Sequence, residues 1–154
     1  MSTIDQKLER LGVKLPTPPA PVASYVPFVL VGKQVYVSGQ VTLAPDGLKY
    51  VGTIGKDLTL EDGKAAARLC ALNVLAQLKS ACGGDLEKVR RIVKLTVFVN
   101  AVPGFTQQPE VANGASDLLV EVFGESGRHA RSAVGAGSLP RNVAVEVDVV
   151  AEIA

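Results

Sequence analysis

Valine occupies every second position from Val143 to Val149, with Ala144, Glu146 and Asp148 between. A chain of period two sends the valines to one face and the two carboxylates to the other, so Val143 to Ile153 is expected to be a strand. Its apolar face must be covered, and its other face is either wetted or lines a cleft. Such a strand cannot stand alone, and the rest of the chain supplies partners and a cover.

Gly32-Lys33 separates Phe28 to Val31 from Gln34 to Ser38 at the spacing of a tight hairpin, and Pro45-Asp46-Gly47 marks the next turn. Tyr50 to Gly55 reads as loop or short edge strand. Thr59 followed by Asp62 forms a capping box, and Ala65 to Ala81 carries Leu69, Leu72, Ala76 and Lys79 at helical spacing before Gly83-Gly84 stops it. Leu86 to Val89 adds a short turn. Val93, Leu95, Val97 and Val99 then alternate as a strand, and a second helix runs from Pro109 to Gly124. Ala130 to Ala136 is another strand, joined to the last around Leu139-Pro140-Arg141-Asn142. The order ββαβαββ describes an α+β domain, a mixed sheet with two helices on one face. Residues 1–24 read as a lead-in ahead of a domain at 25–154. Pro16, Pro18, Pro19 and Pro21 keep Leu15 to Pro21 extended.

With 154 residues the chain builds one domain. Sixteen Lys and Arg against fifteen Asp and Glu leave a net charge of +1, which gives no field to attract nucleic acid. No apolar run is long enough to span a membrane, and the polar start Met1 to Gly12 is no signal core, so the expected compartment is cytoplasmic. Cys70, Cys82 and the single His129 are too few for a protein-built zinc site. Only 20% of residues are charged while 47% are hydrophobic, an excess that favours burial between subunits.

Candidate chemistry gathers near the C-terminus. If the last two strands pair as a simple hairpin, Arg131 and Glu146 stand opposite or diagonal on one face. A guanidinium grips a carboxylate with two parallel bonds, and a carboxylate orients a water, although the same pair could be a structural ion pair. His129 is expected on the face opposite Arg131, in a structural role. Ser38 lacks a neighbouring base. The basic run Lys88-Val89-Arg90-Arg91 with Lys94 has no interleaved aromatics and reads as a solvated face.

Tyr25, Val35-Tyr36-Val37-Ser38-Gly39-Gln40, Arg68 with Asn73-Val74, Val97-Phe98-Val99, and Ala130-Arg131-Ser132 through Leu139-Pro140 to Val145-Glu146-Val147 follow in an ordered series. On these pieces the chain resembles the reactive intermediate deaminase (Rid or YjgF) family over Tyr25 to Ile153. The resemblance implies a chorismate mutase-like fold and a homotrimer with sites in clefts between subunits. It also implies that Arg131 binds the substrate carboxylate, Glu146 serves the hydrolytic water, and Tyr25 lines the site. Ala133 occupies the substrate-lining position where the archetypal branch has cysteine, and His129 stands for its proline. The segment before Arg131 and the Pro-rich start are both longer. The chain therefore resembles a divergent branch, often called endoribonuclease L-PSP.

The implied activity is hydrolysis of 2-imino or enamino acids such as 2-aminoacrylate to 2-keto acids and ammonia, with no cofactor and no metal. The implied partners are a small 2-imino or 2-keto acid and further copies of the chain, with no membrane or nucleic acid. Two other readings share the same residues: a carboxylate-binding module without turnover, and an endoribonuclease, which the charge balance and sparse aromatics disfavour.

Overall fold

The computed structural model describes residues 2–18, 20 and 23–154. Pro19 and Pro21 of the proline-rich segment lie outside the described residues, and 15–18 carry neither helix nor strand. Ahead of them is an element the sequence reading did not foresee, the helix α1 (Thr3–Arg10). Ser2 and Asp5 cap it reciprocally, and Leu8 is buried. Its signal was the spacing of Ile4, Leu8 and Leu11, masked by the charged residues between them. Asp5 Oδ1 lies 3.4 Å from Lys79 Nζ, and the backbone N–H of Ile4 donates to Glu87 Oε1 at 2.7 Å, which fasten α1 to the body.

The expected series follows as β1 (Phe28–Val31), β2 (Gln34–Gln40), α2 (Leu60–Ala81), β5 (Val89–Asn100), α3 (Gln108–Phe123), β6 (Ala130–Ala136) and β7 (Val145–Ile153). A two-residue hairpin, β3 (Leu43–Ala44) and β4 (Gly47–Leu48), turns at Pro45-Asp46. Tyr50 to Gly55 is a loop stitched in place by single bridges from Val51 to Val143 and from Ile54 to Leu58 and Ala101. The main sheet runs β1-β2-β7-β5-β6, with β5 and β6 parallel and every other pair antiparallel.

Val145, Val147, Val149 and Ala151 all face the helices and are buried. Each such valine contributes roughly 1.5–3 kcal/mol relative to exposure, so a charge at Val147 would break the layer. The buried stripe of α2 runs through Ala67, Cys70, Ala71, Val74 and Leu78. Leu69 and Leu72, whose helical spacing marked the element, are only half-buried shoulders of it. The core side is instead lined by small residues, because α3 crosses α2 so closely that a Cβ on Gly114 would collide with the Lys64 backbone. Both helices cover one face, and no helix among the described residues covers the other, which is left bare. On that bare face Val29 is 48%, Tyr36 45% and Val134 43% exposed, with Phe98, Glu146 and Asp148 among them.

Candidate functional site

The expected hairpin between the last two strands does not form. After β5 the chain makes a helical crossover through α3, and a strand following such a crossover pairs parallel to the first. β6 therefore takes the outer edge of β5, and β7 returns to the inner edge, so that β5 separates them. Arg131 stands level with Leu95, and Leu95 with Val149, on the helix-covered face. Glu146 stands level with Phe98, and Phe98 with Val134, on the bare face. Arg131 and Glu146 of one chain are thus on opposite faces and form no cross-strand pair.

Arg131 turns toward α3. Its Nη1 donates to Asn113 Oδ1 at 2.8 Å and to Ser116 Oγ at 3.1 Å, two residues three apart on one helix face. His129 joins them, contrary to the expectation that it faces away. Residues two apart on an extended chain share a face, and His129 Nε2 lies 2.9 Å from the same Ser116 Oγ. The direction of these bonds follows from the far side of the ring. Nδ1 lies 2.7 Å from the carbonyl of Gly127, which can only accept, so Nδ1 carries the proton and Nε2 accepts from the Ser116 hydroxyl. A lone pair of Ser116 is then left for Arg131. Burial holds His129 below the usual imidazole range, opposed by the Gly127 bond and reinforced by the positive charge of Arg131, which keeps the ring neutral.

Both protons of Nη1 are spent on α3. Among the described residues nothing accepts from Nε or Nη2, so the edge of the guanidinium that matches a carboxylate remains open. Ala133, two residues along the same face and level with Val97, packs against the core.

Glu146 is half-buried, and burial raises its pKa, with the nearby charge of Asp148 adding to the effect. Asp148 is itself raised by burial, countered by a bond from Thr96 and the charge of Lys94. Gly39 lies against Glu146 so tightly that any Cβ there would meet the carboxylate. The position falls where the pairing of β2 with β7 shifts register between Val37 and Gln40, and that irregularity lets the backbone approach. Gly39 also borders a cleft of about 350 Å³ with Tyr25 and Ser38, and Tyr25 is 65% exposed there.

Ser38 Oγ donates to the Val26 carbonyl at 2.8 Å, and the only imidazole is committed to Ser116, so no serine–histidine pair forms at Ser38. Cys70 is buried with its thiol donating to the Val145 carbonyl at 3.3 Å, and burial raises its pKa well above that of a free thiol. Burial raises that of Cys82 as well. Neither has the electropositive, accessible setting of a reactive thiolate. Arg91 Nη2 donates to the Arg128 carbonyl at 3.2 Å, and Lys94 Nζ to Ser132 Oγ at 3.1 Å, so part of the basic run is engaged in the fold. Asn113 and Ser116 escaped the sequence reading because an amide and a hydroxyl on an amphipathic helix carry no signal until the opposing strand is known.

No helix among the described residues is long and apolar enough to cross a membrane. Residues 5–153 match the family described as YjgF/chorismate mutase-like, putative endoribonuclease. The crystal structure of protein Atu1372 from Agrobacterium tumefaciens, of unknown function, superposes with a TM-score of 0.91 at 47% identity, covering 98% of this chain and 94% of that one. Protein TCP17 of Trypanosoma cruzi is 53% identical over 147 residues, 95% of this chain and 91% of its own. A relative in Dermatophagoides farinae named 2-iminobutanoate/2-iminopropanoate deaminase is 28% identical over 142 residues, 92% of this chain and 94% of its own. With the strand order, the helix layer and a match across nearly its whole length, the chain belongs to the YjgF/chorismate mutase-like family.

Proposed function

We propose that the chain hydrolyses small 2-imino acids to 2-keto acids and ammonia, in a site completed when Arg131 of one copy meets Glu146 of another. The observation that carries the reading is the open edge of the Arg131 guanidinium, which α3 steadies from behind while leaving its paired donors unspent. A planar carboxylate fits that edge with two parallel bonds. Glu146, on the opposite sheet face and held in a half-buried setting against Gly39, is suited to take a proton from water. The bare sheet face, with Val29, Tyr36 and Val134 exposed, favours assembly with further copies, and a homotrimer is the expected form. The deaminase name of the mite relative agrees with this chemistry.

In the proposed reaction water adds to the C=N carbon while Glu146 accepts one of its protons. That proton passes to the nitrogen to give a carbinolamine; the hydroxyl proton is then taken by Glu146 and handed to the nitrogen, and as the C–N bond breaks ammonia leaves and the C=O bond forms. Arg131 holds the carboxylate so that the reacting carbon presents one face to the water. Tyr25 would border the Glu146 side. The test is to generate 2-imino acids in situ with an amino-acid oxidase and follow their disappearance with and without the protein. Accelerated release of keto acid is expected. Binding of keto acid with no acceleration would replace the enzyme by a carboxylate-binding module.

A further inference from the structure

Between α3 and β6 the chain makes one tight helical turn, Gly124–Gly127, and returns to α3 before the strand begins. Gly127 is buried so closely against the helix that a Cβ there would run into the Leu119 carbonyl. Its own carbonyl is thereby held in place, 2.7 Å from His129 Nδ1. His129 Nε2 then reaches Ser116 Oγ at 2.9 Å, and Ser116 stands three residues before Leu119 on the same helix face. The segment therefore closes on α3 at two points, with the imidazole bonded at both of its nitrogens.

A hydroxyl has one proton to give and two lone pairs to offer. On a helix, serine commonly gives that proton to the carbonyl four residues back, which here is Ala112. Ser116 does not. Among the described residues the partners of its Oγ are His129 Nε2 and Arg131 Nη1. A guanidinium can only donate, so the Ser116 proton goes to His129, which is the direction that the Gly127 bond demands from the other side of the ring. Two independent constraints thus agree on one arrangement. The imidazole draws the Ser116 proton to itself, and a Ser116 lone pair is left facing Arg131.

We propose that His129 is a positioning residue for carboxylate binding: it takes the Ser116 proton, turns a Ser116 lone pair onto Arg131, and so fixes which edge of the guanidinium stays open. The inference deepens the reading of Arg131 as a carboxylate anchor and rests on it. His129 acts only through Ser116. A guanidinium that keeps Asn113 alone can swing about that bond, and a ligand must then immobilise it on binding. The role belongs to binding more than to the chemical step.

The test uses the assembled protein at about pH 8, where the ring is neutral, with 2-ketobutyrate as the probe. His129→Phe keeps a ring without an acceptor, and it is expected to weaken binding about 3- to 10-fold, no more than Ser116→Ala does. KM for imine hydrolysis should rise by a similar factor while kcat changes less than about twofold. His129→Gln, whose side-chain oxygen can take the place of Nε2, should restore most of the affinity. Added to Ser116→Ala, His129→Phe should weaken binding no further, because the path through Ser116 is already cut. One readout needs no ligand: the NMR order parameter of the Arg131 Nε–H bond should fall in His129→Phe and recover in His129→Gln. Another needs no substitution, since the neutral ring must carry its proton on Nδ1 in the unaltered protein. An Nε2–H tautomer there, unchanged affinity and unchanged Arg131 motion in folded His129→Phe, or an equal loss with and without the Ser116 hydroxyl would each overturn the proposal. Full keto-acid affinity in Arg131→Ala would count against Arg131 as the anchor, and absence of imine turnover against the deaminase reading. The tautomer and the Nε–H readout decide separately whether His129 holds the guanidinium.

Discussion

Removing the Ser116 hydroxyl tests how far the fold prepares Arg131 for a carboxylate. In Ser116→Ala the guanidinium loses the 3.1 Å bond and keeps only Asn113, while His129 Nε2 loses its donor at 2.9 Å. A bond from a charged donor is worth roughly 1.5–3 kcal/mol and a neutral one roughly 0.5–1.5. Both groups are only partly buried, so water recovers part of this, and a net loss of about 1–2 kcal/mol is expected. If that energy goes into holding the guanidinium edge, keto-acid affinity falls about 5- to 30-fold. Binding of 2-ketobutyrate by calorimetry, beside kcat and KM for imine hydrolysis, reads this directly. KM should rise more than kcat falls, and Ser116→Thr, which restores a hydroxyl, should recover most of the loss. Affinity unchanged in Ser116→Ala while Arg131→Ala abolishes it would refute the idea that α3 positions the guanidinium.

His129 should titrate below 6.5 by NMR with its neutral form protonated on Nδ1, and since folding lowers its pKa, its contribution to stability is present above 6.5 and lost as pH falls through the folded value; a folded pKa at or above 6.5 would contradict this. Glu146 has the opposite linkage. Its folded pKa is raised above 4.5, so its contribution is present below 4.5 and lost as pH rises through the folded value, and Glu146→Gln should raise Tm at pH 7 while reducing turnover. Gly39→Ala should displace the Glu146 carboxylate and cut kcat at least tenfold with smaller change in keto-acid binding, whereas equal loss of both would show that Gly39 serves only packing. Replacing Cys70 and Cys82 together with Ser should leave turnover within about twofold, because a serine hydroxyl can keep the bond to Val145 and neither thiol is poised to ionise; loss of activity in a folded variant would contradict it.

Alternation and turn chemistry made the strands and two long helices legible, because their signals are local: the capping box at Thr59, the glycines after Ala81, the valines of β7. Pairing is a long-range property, and there the sequence reading went astray. A turn at Leu139-Pro140 between two strands suggests a hairpin, but the strand, helix, strand run from β5 to β6 already implied a parallel crossover that takes the edge beside β5. With that placement the faces of Arg131 and Glu146 separate. The shared face of His129 and Arg131 was available from their spacing of two. Ser116 and Asn113 were not, since their meaning depends on what the fold sets opposite them.

The separation of Arg131 and Glu146 yields the most direct test of the central claim. Arg131→Ala and Glu146→Gln homo-oligomers should each be inactive, the first in carboxylate binding and the second in turnover. Unfolded together and refolded as mixed assemblies, they should regain activity, because a site taking Arg131 from one copy and Glu146 from its neighbour finds both intact in about one case in four under random mixing. Recovery to about a quarter of the unaltered rate is the predicted result. Mixed assemblies, verified by mass, that remain as inactive as either parent would contradict a site shared between copies.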